Sequence, residues 1–259
     1  MIFTGIDMKI CHLIFSCNRL KYLLPSLESS KNIDFGDHEV YRILVDDYPR
    51  TRNNNIFRLL AKTYNIDKLV LNGQNKGLSV SWTHSWEEIK KYDFDYIFHQ
   101  EDDIIFEEPV KIDDLIELLS TDDKMVQVVL QRQKWYENEE DPCIVKSNDL
   151  PFKDYIYSKD SDVFSPMASL YPRWVLDVDY IDYYGFNLNE GMIMVYLNYL
   201  YQSYSAHLKG KDGRNLITHI GEEFTGRRLL EGEPNYELLN FDSNKTYNSR
   251  TGEELKTFI

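Results

Sequence analysis

Sorted by apolar and polar positions, the chain changes character near residue 132. Before that point, short continuous apolar runs alternate with stretches whose apolar positions recur every three or four residues. KICHLIFS (9–16), VYRILVDD (40–47), DKLVLN (67–72), FDYIFHQ (94–100) and KMVQVVLQR (124–132) are the runs, and they predict strands. Their near-continuous hydrophobicity is that of strands buried on both faces. Between them, LKYLLPSLESS carries Leu20, Leu23, Leu24 and Leu27 at helical spacing, and NNIFRLLAKTYN (54–65) places Ile56, Leu59, Leu60 and Tyr64 on one stripe. LSVSWTHSWEEIKKY (78–92) and KIDDLIELLS (111–120) complete the predicted helices. Strands separated by helices of this length imply crossover connections and a mostly parallel central sheet flanked by helices, an α/β class. Ligands of such sheets bind beyond the carboxyl ends of the strands, and both VDD (45–47) and EDD (101–103) fall there.

Beyond residue 132 the alternation breaks. Residues 133–165 are polar, aromatic and irregular, with Pro142 and Pro151, and read either as a surface excursion or as a loop over a site. FSPMASLYPRWVLDVDYI predicts a strand and then a helix beginning near Pro172, a residue suited to a first helical position. NEGMIMVYLNYLYQSY (189–204) predicts a strong helix and GRNLITHIGEE (213–223) a last strand, with a polar tail from about residue 232. No internal repeat and no linker interrupts the pattern, so residues 1–259 are expected to form one domain.

Composition narrows the functional classes. A formal charge of −14 disfavours nonspecific nucleic-acid binding and attachment to an anionic membrane surface. No stretch approaches the ~18 apolar residues of a membrane span, and the first residues lack the basic and small-residue pattern of a signal peptide. Cys11 and Cys17 lie on one predicted strand, roughly 20 Å apart at ~3.3 Å per residue, and so do not pair. Three scattered cysteines read as reduced thiols, which points to a cytoplasmic protein, in a host cell if the gene is viral.

The carboxylates at the strand ends pose the chemical question. Glu101, Asp102 and Asp103 close an apolar run, where adjacent acids repel and burial is costly unless a cation or hydrogen bonds compensate. Four short motifs in order resemble the GT-A nucleotide-sugar glycosyltransferases, the family-2 group in particular. They are Ser16-Cys17-Asn18-Arg19 after the first strand, Val45-Asp46-Asp47-Tyr48-Pro49 after the second, Asn75-Lys76-Gly77 after the third and Glu101-Asp102-Asp103 after the fourth. The last resembles the DXD-type metal motif, in the E-D-D spelling of N-acetylglucosaminyltransferases, and the likeness covers residues 9–132.

The resemblance implies a GT-A fold and a metal-dependent sugar transfer from a nucleoside diphosphate, UDP first among the nucleotides, with Mn²⁺ or Mg²⁺ as cofactor. It implies that Asp103 binds the metal, Asp102 the ribose or a metal-bound water, and Asp47 the imino hydrogen of the base. Ser16, Asn18, Arg19, Asn75, Lys76 and Arg227 are then the remaining donor-binding candidates. Two positions depart from the pattern: Cys17 replaces an aromatic residue that stacks on the base, and Ser81-Trp82-Thr83 stands where an arginine-bearing A-R-N often follows. Lys76 or Arg19 would serve the phosphates in its place. Residues 9–132 would form the donor half, 133–231 the acceptor and catalytic half, and 232–259 a tail.

In the second half, His219 is either a metal ligand or a strand-end histidine satisfied by backbone. Arg227 and Arg228 form either a diphosphate clamp or a solvated pair. Trp135 and Tyr136 either stack on an acceptor sugar or anchor their loop. Glu190, beside Gly191 at the start of a long apolar helix, is the candidate general base for an inverting transfer. An acid in a first helical turn is also favoured by the helix dipole alone. The expected partners are a nucleotide-sugar donor and a glycan, lipid-linked or small acceptor. Two other functions fit the same layered sheet: a nucleotidyltransferase making nucleotide sugars, whose usual glycine-rich phosphate loop is missing from KICHLIFSCNRL, and an inactive sugar-nucleotide-binding protein.

Overall fold

The strongest apolar run, KICHLIFS, becomes the central strand β1 (Lys9–Ser16), buried along its length after Lys9. A computed structural model describes residues 7–17, 19–47, 54–72, 78–133, 149–161, 163–180 and 190–221. β2 is Ile33–Asp34, β3 Glu39–Asp46, β4 Lys68–Leu71, β5 Tyr96–Glu101, β6 Ile104–Phe106 and β7 Val110–Lys111. β8 is Met125–Leu130, β9 Leu150–Phe152, β10 Tyr155–Asp160, β11 Ser169–Pro172, β12 Tyr204–Gly210 and β13 Ile217–His219. The helices are α1 (Leu20–Ser29), α2 (Asn54–Thr63), α3 (Leu78–Ile89), α4 (Ile112–Leu119) and α5 (Glu190–Tyr201).

Nine strands form one sheet in the order β4-β3-β1-β5-β11-β8-β12-β10-β9. β4, β3, β1 and β5 are mutually parallel, as are β8 and β12, while β11 runs antiparallel to both β5 and β8. The sheet is therefore mostly parallel, as expected. Side chains alternate across it. Ile14 of β1 joins Leu23, Leu27, Phe57 and Leu60 of α1 and α2, while Leu13 and Phe15 join Trp82 and Trp86 of α3 and Ile193 and Leu197 of α5. The result is helix on both faces of a sheet, the arrangement that continuous apolar strands require. Among the described residues no helix is long and apolar enough to cross a membrane.

Several expectations are corrected. In α2 the buried stripe is Phe57 and Leu60, and Ile56 and Leu59 point outward at 41% and 63% exposure. The supposed helix from Pro172 is a short 3₁₀ segment, Arg173–Asp177, which ends as Val178 turns extended. The apolar helix stops at Tyr201, where Gln202 adopts a left-handed φ of 55° and releases the chain into β12. That strand was hidden because YSAHLKG follows the helix with no Gly or Pro between them. The expected last strand shrinks to Ile217–His219 and pairs with β6, outside the central sheet. Part of the irregular segment is a hairpin, β9 and β10, which closes one edge of the sheet.

Two of the histidines buried in the sheet have strongly displaced ring pKa values. His12 and His99 are buried, and burial holds both ring pKa values at about 3, well below the usual 6.5. His12 Nε2 meets Gln100 Oε1 at 2.8 Å, and since that oxygen also accepts from Ser30, Nε2 carries the proton. His99 packs edgewise on Trp82 and against Phe15, and neither of its ring nitrogens has a hydrogen-bond partner. Each ring is neutral when folded and takes a proton on unfolding at acid pH. The unfolded chain therefore binds more protons between pH 6.5 and about 3, and stability contributed by the neutral rings is lost as pH falls through that window. His99→Leu removes one such proton, which lowers the slope of unfolding free energy against pH by up to ~1.4 kcal/mol per pH unit. Denaturant unfolding of both proteins at several pH values from neutral to acid checks this; parallel curves would refute it.

Candidate metal centre

β5 delivers the three acids. Glu101 is its last residue, and Asp102 and Asp103 form the turn into β6. The strand end is anchored to α1 by buried polar groups. Gln100 Nε2 donates to Ser26 Oγ at 2.8 Å, and Ser26 Oγ in turn donates to the Glu101 carbonyl at 3.2 Å. Asp102 is fully buried and Asp103 is 3% exposed.

Arg19, just before α1, bridges the two aspartates. Its Nε donates to Asp102 Oδ2 at 3.2 Å, and its two terminal nitrogens reach Asp102 Oδ1 and Asp103 Oδ2, the latter at 2.9 Å. The Cys17 backbone N–H also points to Asp102 Oδ2, at 3.4 Å. Burial nevertheless outweighs the guanidinium, and with the help of Asp103 it pushes the Asp102 carboxyl up to about 7. The Cys17 thiol is pushed up to about 12, chiefly by burial and then by Asp47, Asp46 and Asp102. One thiol thus senses the acids of both the VDD and the EDD motifs, which meet at the same end of the sheet.

His219 arrives from the far end of the chain. β13 pairs antiparallel with β6, placing His219 opposite Ile104, and the Ile220 N–H donates to the Asp103 carbonyl at 2.8 Å. Gln133 clamps the other side, since its amide donates to the His219 carbonyl at 3.0 Å and accepts from the His219 N–H at 2.9 Å. The ring Nε2 then lies 3.5 Å from Asp103 Oδ1. Burial lowers the His219 pKa, and Asp103 pulls it back up. Donor atoms of Glu101, Asp103 and His219 all lie within 4.8 Å of one another.

These residues fit a divalent cation. Asp103 Oδ1 is buried without a hydrogen-bond partner, and an orphaned carboxylate oxygen facing an imidazole nitrogen is costly unless a cation completes it. Two carboxylates and one imidazole suit a first-row ion such as Mn²⁺ better than Mg²⁺, which prefers oxygen ligands.

Of the residues read from the sequence, Ser16, Arg19, Asp47, Asp102, Asp103 and His219 converge on this end of the sheet. Ser16 ends β1, and its carbonyl accepts from the Asp47 N–H at 2.8 Å. Asp47 Oδ1 accepts from Ser81 Oγ and, at 3.1 Å, from Asn72 Nδ2. Asn18, Asn75, Lys76, Trp135, Tyr136, Arg227 and Arg228 lie outside the described residues, and Glu190 opens α5 with its side chain outside them. Sequence reasoning missed four participants. Glu101 was named in its motif without a role, although it and Asp103 are two apart. Gln133, Ser81 and Asn72 carry no signal that separates them from ordinary strand-end polar residues.

No protein-family model matches the sequence, and no curated protein matches it. Solved structures match the fold. S. aureus TarS 1–349 in complex with UDP aligns at 12% identity and a TM-score of 0.53, covering 82% of this chain and 60% of that one. GalNAc-T7 with UDP, GalNAc and Mn²⁺ aligns at 11% identity and a TM-score of 0.54, covering 82% and 44%. This chain spans only 36% of another matching TarS chain. The architecture is that of GT-A glycosyltransferases, and at these identities the likeness establishes the fold alone.

Gly221 explains how the ligand atoms come so close. A Cβ there would lie 2.3 Å from Asp103 Oδ2 and 2.9 Å from His219 Cε1, closer than real contacts allow. Gly221→Ala should force Asp103 and His219 apart while leaving the central sheet intact. Mn²⁺ affinity by calorimetry should fall at least about tenfold, with an overpacking cost of roughly 1–3 kcal/mol in stability. Wild-type affinity in that variant would dissolve the proposed ligand set.

Proposed function

We propose that this chain is a metal-dependent glycosyltransferase that moves a sugar from a nucleoside-diphosphate donor, UDP first, to a glycan, lipid-linked or small acceptor with inversion. The observation that carries the reading is the buried Asp103 Oδ1, without a hydrogen-bond partner and facing His219 at the carboxyl end of β5, on a fold shared with UDP-bound and Mn²⁺-bound transferases. Glu101, Asp103 and His219 would hold Mn²⁺ or Mg²⁺. Such an ion supplies positive charge for the two phosphates of a departing diphosphate.

The residues around it supply the rest. Asp47 accepts hydrogen bonds from Ser81 and Asn72, so its carboxylate is held in place to accept one from a ring imino group. Asp102, next to Asp103 in the chain, would contact the ribose or a metal-bound water. Ser16, Asn18, Arg19, Asn75, Lys76 and Arg227 would contact the donor. Trp135 and Tyr136 would offer flat faces to an acceptor sugar. The division into a donor half, an acceptor half and a tail follows the same reading, and a cytoplasmic location is proposed from the scattered cysteines.

Thermal unfolding with UDP, with and without Mn²⁺, tests the core of this. The wild type should be stabilised by UDP far more when Mn²⁺ is present, by linkage to ligand affinity. Asp103→Asn should keep the fold and lose the metal-dependent part. Equal metal dependence in that variant would sink the assignment.

Glu190 would take the proton of the acceptor hydroxyl as the new glycosidic bond forms and the diphosphate leaves from the opposite face. Glu190→Gln keeps size and hydrogen bonding but removes the base. Transfer should fall ~10²–10⁴-fold while UDP binding is retained. Near-normal turnover would transfer the role to another carboxylate.

A further inference from the structure

Arg19 already does part of what a metal would do. Its three guanidinium nitrogens contact both oxygens of Asp102 and Oδ2 of Asp103, with the Arg19 side chain itself only 18% exposed. The remaining oxygen, Asp103 Oδ1, faces His219 Nε2 and has no hydrogen-bond partner. Asp103 therefore stands between two positions for positive charge, one filled by Arg19 and one lined by Glu101 and His219. Both positions draw on the same buried negative charge.

Resting on the metal-centre reading above, we infer that Arg19 is a resident counter-cation that competes electrostatically with the divalent ion for the Asp102–Asp103 pair. Two cations flanking one carboxylate repel each other strongly where solvent is excluded. Each neutraliser is therefore worth more when the other is missing. Arg19 keeps the metal-free protein folded by compensating two adjacent buried acids, and in doing so holds down the affinity of the centre for metal. The bidentate hold on Asp102 is the kind of contact a guanidinium makes and an ammonium cannot reproduce.

A purely orienting role for Arg19 predicts the opposite result. If the guanidinium served only to aim Asp103 Oδ1 at the ion, its loss would weaken metal binding.

The experiment is calorimetric titration of the full chain with Mn²⁺ alone, together with thermal unfolding in the presence and absence of Mn²⁺, for wild type, Arg19→Gln and Arg19→Lys. Arg19→Gln should bind Mn²⁺ about tenfold more tightly or better, a change of one decade in dissociation constant. Its metal-free melting temperature should fall, and Mn²⁺ should raise it by more than it raises that of the wild type. Arg19→Lys keeps one charge without the bridge and should fold and lie between the two, which preserves the test if Arg19→Gln does not fold. Unchanged or weaker Mn²⁺ binding in the variants, with the wild type binding normally, would overturn the inference and leave the metal centre standing. No Mn²⁺ binding by any of the three, with or without UDP, would overturn the metal centre and this inference with it.

Discussion

Two neighbouring carboxylates buried at the end of one strand are the constraint around which this molecule is arranged. Asp102 and Asp103 sit where an apolar strand leaves the sheet, at 0% and 3% exposure. Two ionised acids in such a place need positive charge close by, or one of them takes up a proton. Both responses are visible. Arg19 reaches across from the start of α1 to touch both, and the Asp102 carboxyl is still held up at about 7 because burial exceeds that compensation. On the metal-centre reading, this buried negative charge is what draws the cation.

The surrounding scaffold keeps that shortfall from relaxing. Ser26 holds the Glu101 carbonyl, the β6–β13 ladder fixes the Asp103 backbone against Ile220, and Gln133 grips both backbone groups of His219. Gly221 completes the arrangement by having no side chain where a methyl group would displace Asp103. These are separate parts of the chain, from α1, β5, the segment after β8, and the region around β13. These holds act on backbone groups of Glu101, Asp103 and His219, two of them from the side chains of Ser26 and Gln133. Ligands whose backbone is held from several sides need little reorganisation when an ion arrives.

This division explains what the sequence showed and what it concealed. Strand β1 was legible because its apolar run is long and unbroken, and so were β3, β5 and β8, which form the sheet around it. VDD and EDD were legible as acids at the ends of apolar runs. β12 was not legible, since YSAHLKG mixes polar and apolar residues and follows a helix without a break. Its polar face, Ser205 and His207, packs inside the sheet's layers, so the usual alternation of buried apolar and exposed polar positions never appears. His219 could be named from its place at the end of LITHI, but its closeness to Asp103 depends on β13 pairing with β6 and not with the main sheet. That pairing joins residues more than a hundred positions apart, and no local pattern reports it. Gln133 was invisible for the same reason: its task is to hold another residue's backbone.

The same physics bears on how an acidic chain could handle an acidic ligand. At a formal charge of −14, the field of the whole protein opposes a diphosphate and favours a divalent cation. On the proposed reading, charge has to accumulate in a definite order, with positive charge concentrated at the strand ends before a nucleotide's phosphates find the site attractive. Local geometry outweighs net charge here, because interactions over a few ångströms in a buried site are screened far less than those across the surface. Asp47, Asp46 and Asp102 around the Cys17 thiol show how densely negative that end of the sheet is before any cation is added. On the proposed reading, a fold that gathers acids from two strand ends onto one spot, with the Arg19 guanidinium among them, is completed there by a metal ion.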